Sequence, residues 1–369
     1  MQGKSLHRKM EAIPLLSVRW GILGTGWVST RFAADLLNPR SSTPVRHKIA
    51  ALGTSLEVKG ASFISTLFPS GAPDSGKPKI YTSYSDVYID PEVDIVYIGT
   101  PHSYHKEQCL AAIAAGKHVL CEKPFTINAA EAEEVIAAAK VKGVYIMEAV
   151  WTRFFPLVLD LKKMLHEDKI IGDIHRMTCD FSLQKDMENL PATHRYKDIN
   201  LGGGALLDIG VYPLMWSNIV LDGSVGSSAS TPEVSSTMVV IDGVDHEDVV
   251  VMKYPETNRV GVLTASLRAK GTEEFLKVEG SKGVITVSGP GCSLPKKVKI
   301  QVEGEEERVM NYDHEAMGFR FEADSVAKDV LEGRKENLIM PLKETVRMMR
   351  VMDGIRKQGG VVYPQDEQR

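Results

Sequence analysis

The chain has 369 residues, of which 43% are hydrophobic and 25% charged, and a formal net charge of −4. This length suggests two domains, and the composition suits a globular protein with a full core. The balance of charge gives no electrostatic case for nucleic acid or an anionic membrane, and no apolar run reaches transmembrane length.

Residues 1–16 are a mixed lead-in without a signal-peptide core, expected to pack loosely. Residues 17–23 form an apolar strand, followed by the turn GTGWVS and by helical spacing over 31–37. A second strand covers 47–52. The stretch 67–79 is rich in Gly, Pro and Ser and reads as an exposed loop. Strand 93–98 leads to a helix capped by Ser103 and closed by Gly116. Strand 118–121 leads to a helix opened by Asn128 and Glu131, which Gly143 stops. A strand over 144–147 ends the run. Strands alternating with helices imply a parallel, doubly wound sheet, a Rossmann domain over 17–150.

The pattern changes after Trp151. Strands over 174–181, 238–242, 248–253, 260–267, 275–279, 284–288 and 298–302 are joined by turns, so 151–369 is expected to carry a large, mostly antiparallel sheet. The Ser/Gly-rich stretch 222–236 reads as a surface loop. Helices over 315–332 and 341–358 close the chain. The fold class is therefore α/β, with two domains. Four scattered cysteines (Cys109, Cys121, Cys179, Cys292) form no CxxC pair, which favours a reducing, cytoplasmic setting over disulfides or zinc.

Gly24, Thr25, Gly26 and Trp27 stand between a strand and a helix. Glycines there permit a tight turn and bring a pyrophosphate to the helix N-terminus. Ser29 occupies the third glycine position of that fingerprint, so the match is partial. An NAD-specific fold usually ends its second strand in an acid for the ribose. Here Gly53 or Thr54 holds that place, and Ser55 and Lys59 could serve a 2′-phosphate. NADP is therefore favoured over NAD, with Glu57 the candidate ribose ligand in another register.

Further motifs follow in order: Thr100-Pro101-His102-Ser103-Tyr104-His105, then Glu122-Lys123-Pro124 at a strand end, MEAVWTRFFP with Trp151, Arg153 and Phe154, and GGGALLDIGVYP with Asp208 and Tyr212. This ordered set resembles the Gfo/Idh/MocA oxidoreductase family over nearly the whole chain. Asp-x-x-x-Tyr in place of Asp-x-x-x-His resembles the subgroup of dimeric trans-dihydrodiol dehydrogenases and NADP-dependent D-xylose 1-dehydrogenases. The resemblance implies a nicotinamide cofactor between the domains, a small sugar or diol substrate, often a homodimer through the second sheet, and a catalytic Lys123. It places the loop of Thr100, Pro101, His102 and His105 beside the nicotinamide.

The residues make chemical sense in those roles. Oxidising an alcohol needs a base, and a free tyrosine at a pKa of about 10 is a poor one. The Lys123 ammonium could lower that value for Tyr212. Spacing four would put Asp208 and Tyr212 on one helix face, although Pro213 belongs in a first turn. A plainer reading makes Asp208 a cap and Tyr212 a core aromatic. Trp151 and Phe154 could be core or substrate wall, and Arg153 a surface charge or a phosphate partner. Glu122, Lys123 and Trp151 are also expected to contact the cofactor. The HxxH pair lacks a carboxylate cluster, so no metal is expected. The favoured function is oxidation of a pyranose such as D-xylose at C1. A trans-dihydrodiol substrate and a non-catalytic nucleotide-binding regulator are the alternatives.

Overall fold

Two sheets organise the chain, and the order of the first fixes where a ligand can sit. The computed structural model describes residues 17–39, 45–68 and 76–367, so the lead-in and most of the 67–79 loop lie outside the described residues. β1 (Ser17–Leu23), β2 (Arg46–Gly53), β3 (Lys79–Tyr81), β4 (Ile95–Ile98), β5 (His118–Glu122) and β6 (Ile146–Ala149) form a parallel sheet in the order β3-β2-β1-β4-β5-β6. All four residues of β4 are buried, as a strand covered on both faces requires. The chain runs outward from β1 in one direction and from β4 in the other. The carboxyl ends of β1 and β4 therefore flank a crevice at the topological switch point.

The second sheet has eight strands: β7 (Ile174–Ser182), β8 (Glu233–Ile241), β9 (Val244–Tyr254), β10 (Arg259–Ser266), β11 (Glu274–Gly280), β12 (Gly283–Ser288), β13 (Lys297–Val302) and β14 (Arg308–Asn311). Their order is β14-β13-β12-β11-β7-β10-β9-β8, antiparallel except where β7 meets β10. β8 starts inside the stretch expected to be loop. It is an edge strand with no buried residue, so Ser and Thr suffice where an inner strand would need apolar side chains.

One face of this sheet is covered by a helical stretch: a π-helical turn over Leu206–Gly210, α7 (Val211–Ser217) and a second π turn over Asn218–Asp222. Among the described residues, 199–222 is the one helical stretch long and apolar enough to cross a membrane. Its apolar window is 100% buried in the protein, as a core helix would be. The other sheet face carries Val239, Val249, Val251 and Val262 to solvent.

The closing helices are α8 (Phe319–Leu331), which packs on the first helix of the Rossmann unit and the turn of Trp151, and α9 (Leu342–Gly359), which lies chiefly against β8. α8 starts later than its apolar pattern because Ala316 and Gly318 take positive φ ahead of it. Phe319 stacks on Trp151 at 4.3 Å and meets Phe32 edge-on, and Phe32 stacks on Tyr97 at 3.9 Å. Phe32 lies on α1 (Trp27–Leu37), so one aromatic column joins the Rossmann unit to α8. Phe32→Ala should lower the unfolding free energy by about 3–5 kcal/mol. Urea denaturation measures this, and a loss below about 1 kcal/mol would remove the column from the core.

Candidate functional site

The crevice beyond β1 and β4 is a cleft of about 500 Å³ lined by Gly24, Thr25, Gly26, Thr54, Ser55, Lys59, Thr100 and Pro101, all expected from the sequence except Thr54 as a wall. Gly24 needs its glycine: φ is +86°, and a Cβ would come within 3.2 Å of the Gly99 carbonyl. A Cβ on Gly26 would meet no protein atom within 4 Å, so the cleft is open where a ligand would approach. α1 begins at Trp27, earlier than its apolar pattern, with no side-chain cap and no acid in its first turn. Its leading N–H groups are thus available to an anion. Ser29 fits at the third fingerprint position because Gly99, at the end of β4, has no side chain; a Cβ there would strike the Ser29 hydroxyl.

The second strand's end resolves its two registers. Glu57 opens α2 (Glu57–Leu67), is exposed and does not line the cleft, whereas Ser55 and Lys59 do. Ser62 and Thr66 extend this wall from the following turns of α2, and Thr30 joins them from α1. The spacing 59, 62, 66 is one helix face, and reading the polar residues with a helical period would have found it. A cation, four hydroxyls and an uncapped helix N-terminus fit a dinucleotide with a ribose phosphate.

A second constellation joins the two domains. Lys123, at the end of β5, donates from Nζ to the Asp208 carbonyl oxygen at 2.5 Å and lies 3.7 Å from Asp208 Oδ1. Arg195 reaches the same Oδ1 at 2.6 Å and approaches His102 Nε2 at 3.5 Å. Burial alone would raise the Asp208 pKa, but Arg195 and Lys123 outweigh it and hold the carboxyl well below its usual range. Lys123 Nζ sits 5.1 Å from the Tyr212 ring centroid, and Trp151 Nε1 donates to the Tyr212 oxygen at 2.7 Å. Phe181 meets the same ring edge-on.

The segment is a π turn entering α7, not a regular helix, and its wide turn delivers Pro213 into the first turn of α7, where a missing N–H is tolerated. The net shift of the phenol runs opposite to the one expected from Lys123 alone. Burial, then the nearby Glu122 carboxyl, push the Tyr212 pKa well above its ordinary value, so the phenol rests protonated.

Other expected residues take different places. Arg153 is engaged within the protein, away from the cleft lining: it is buried and donates to Glu344 at 2.8 Å and to the Ile339 carbonyl, because the turn after β6 faces α9. His105 is fully buried, with its ring nitrogens 3.0 Å from the Pro124 carbonyl and 2.9 Å from that of Thr100; it braces the loops. Glu122 accepts from the Tyr97 hydroxyl at 2.6 Å and from the Lys123 N–H, supporting the strand end from below. Phe154 is buried in the turn of Trp151, and the aromatic rings meeting Tyr212 include Trp151's polar edge and Phe181 instead. Burial pushes the His102 pKa well down, so its ring is neutral. Among the described residues no cluster of His, Cys, Asp and Glu could hold a metal.

Residues 18–150 match the NAD-binding Rossmann domain of the GFO/IDH/MocA oxidoreductases, and 158–286 match that family's C-terminal domain. The chain is 35% identical over 373 residues to the NADP-dependent D-xylose 1-dehydrogenase of Hypocrea jecorina, covering 95% of this chain and 94% of that protein. It is 32% identical to human trans-1,2-dihydrobenzene-1,2-diol dehydrogenase, covering 95% and 100%. Among solved structures, an aldose-aldose oxidoreductase from Caulobacter crescentus shares the fold at 22% identity and a TM-score of 0.77, over 96% of this chain and 98% of that one. The chain belongs to the GFO/IDH/MocA oxidoreductase family.

Arg153→Met should lower stability by about 3 kcal/mol, the low end for breaking a buried pair, because Arg347 still holds Glu344. Affinity for NADP, measured by Trp27 fluorescence, should stay within about twofold. A selective loss of NADP affinity would return Arg153 to the cofactor.

Proposed function

We propose that the protein is an NADP-dependent dehydrogenase that oxidises a pyranose, D-xylose favoured, at C1 to the lactone. The observation that carries this is the Lys123–Asp208–Tyr212 constellation, a proton-handling set with no evident use in a passive sensor, which Arg195 and His102 join to the cleft wall at Pro101. Bound NADP would accept the hydride; Ser55, Lys59 and the α1 N-terminus would hold it. The residues of the chain manage the proton and the pose. Among the described residues no protein acceptor takes the Tyr212 O–H proton, since Trp151 donates to that oxygen. The phenol can therefore give its proton to a carbonyl in reduction. In oxidation it must first lose it, and Trp151 N–H and Lys123 both favour the resulting phenolate. Asp208, anionic and cation-bound, can accept hydrogen bonds from neighbouring sugar hydroxyls.

An anomeric hydroxyl shares its carbon with the ring oxygen and is more acidic than an ordinary alcohol, so it yields its proton to the phenolate more readily. The polar rim of Asp208, His102 and Arg195 also matches a polyol. The second reading, a trans-dihydrodiol, is favoured by Trp151 and Phe181 around Tyr212, an aromatic wall suited to an unsaturated ring. The open valine face of the second sheet supports a homodimer.

Absorbance at 340 nm with NADP and D-xylose, D-glucose or a trans-dihydrodiol tests the reading; no turnover of any of them by folded, NADP-binding protein would refute it. Tyr212→Phe should lower kcat by about 10²–10⁴-fold with NADP affinity retained. Because the resting phenol is protonated, kcat/KM for oxidation should still be rising at pH 9; a plateau below pH 8 would show a different base. Ser55→Asp should weaken NADP about ten- to a hundredfold by removing a donor and adding repulsion; an unmoved NADP/NAD ratio would free Ser55 of that role.

A further inference from the structure

Two buried acids lie beneath the GGG turn, on the far side from the cleft. Asp245 and Asp248 are 0% and 2% exposed. β9 alternates strictly further on, with Asp248, Val250, Met252 and Tyr254 inward. Continued alternation would turn Asp245 to the open face. Instead the register against β8 slips at His246, where Val239 pairs with Glu247 and Val240 with Asp245. This bulge brings Asp245 to the same face as Asp248.

There Asp245 Oδ2 accepts the Leu206 N–H at 2.5 Å, at the start of the turn that carries Asp208 and Tyr212. Gly204 has φ +124°, and a Cβ on it would collide with the Asp245 carboxylate. Beside Asp245, the Tyr363 hydroxyl donates to the Gly203 carbonyl. Asp245 Oδ1 and both Asp248 oxygens are buried with no hydrogen bond to another described group. Burial, then the Asp245 charge, push the Asp248 pKa well up, and burial raises that of Asp245 as well, so the pair favours holding a proton.

We propose that Asp245, aimed by the bulge in β9, is the distant N-cap of the segment bearing Asp208 and Tyr212, and thereby a positioning residue for proton transfer. A helix start built after three glycines has no side chain of its own to cap it. The chain supplies the cap from β9, and the bulge exists to aim it. The inference rests on the proton path proposed above.

Asp245→Ala should lower kcat at least about tenfold, because a small misplacement of a proton donor is costly, while KM for the sugar and NADP affinity change less than about threefold. Hydrogen exchange over 204–212 should quicken about fivefold, as loss of a cap implies, with β11–β13 unchanged. Asp248→Asn, whose amide can still donate to Asp245, should keep kcat within about threefold. Should Asp245→Ala fail to fold, Asp245→Asn, a weaker acceptor of the same shape, should show a smaller loss of kcat and faster exchange. Wild-type kcat and exchange in either Asp245 variant would overturn the proposal, as would a loss of kcat in Asp248→Asn as large as that in Asp245→Ala. Tyr212→Phe runs in parallel: if it kept full activity, the proton path would fall, and exchange in the Asp245 variants would still decide the cap.

Discussion

The buried Asp208 carboxylate is the constraint on which the rest depends. An unpaired charge at that depth costs several kcal/mol, and it is tolerable only with cations in contact. Lys123 comes from the Rossmann sheet and Arg195 from the loop before the glycine turn, so the two domains must be docked for Asp208 to be stable. Docking also sets Lys123 over the Tyr212 ring. One electrostatic requirement thus ties the fold of each half to the assembly of the site between them.

Apolar packing holds that docking in place. Trp151 serves both ends: its ring stacks on Phe319 of α8, while its N–H meets the Tyr212 oxygen. Phe319 in turn reaches Phe32 and, through it, Tyr97, whose hydroxyl supports Glu122 directly before Lys123. The aromatic column therefore connects the stability of the core to the orientation of both proton-handling side chains. His105 and Arg153, which from sequence resembled ligands, brace loops in this same frame.

Much of this was legible in the sequence because periodicity and turn chemistry are local. The alternation after β1, the capped helix at Asn128 and the strand run after Trp151 each announced their element, and Gly24, Gly26, Ser55 and Lys59 line one cleft as their spacing suggested. What was not legible depends on distant partners. Arg153 looks like a phosphate ligand until Glu344, 191 positions away, occupies it. The Tyr212 pKa was inferred from one cation, but burial, which no local pattern reveals, dominates it. β8 hid as a loop because an edge strand needs few apolar residues. Ser62 and Thr66 were within reach of a helical-period reading that stopped at Lys59.

The central claim is that Lys123 and Tyr212 act as one proton-handling unit across the domain boundary. Single-turnover reduction of NADP at 340 nm, measured with the best sugar substrate in Lys123→Met, Tyr212→Phe and the double variant, tests it directly. Members of one unit are strongly non-additive. The account predicts that the double variant is scarcely slower than the slower single one. A rate loss in the double variant equal to the product of the two single losses would contradict it.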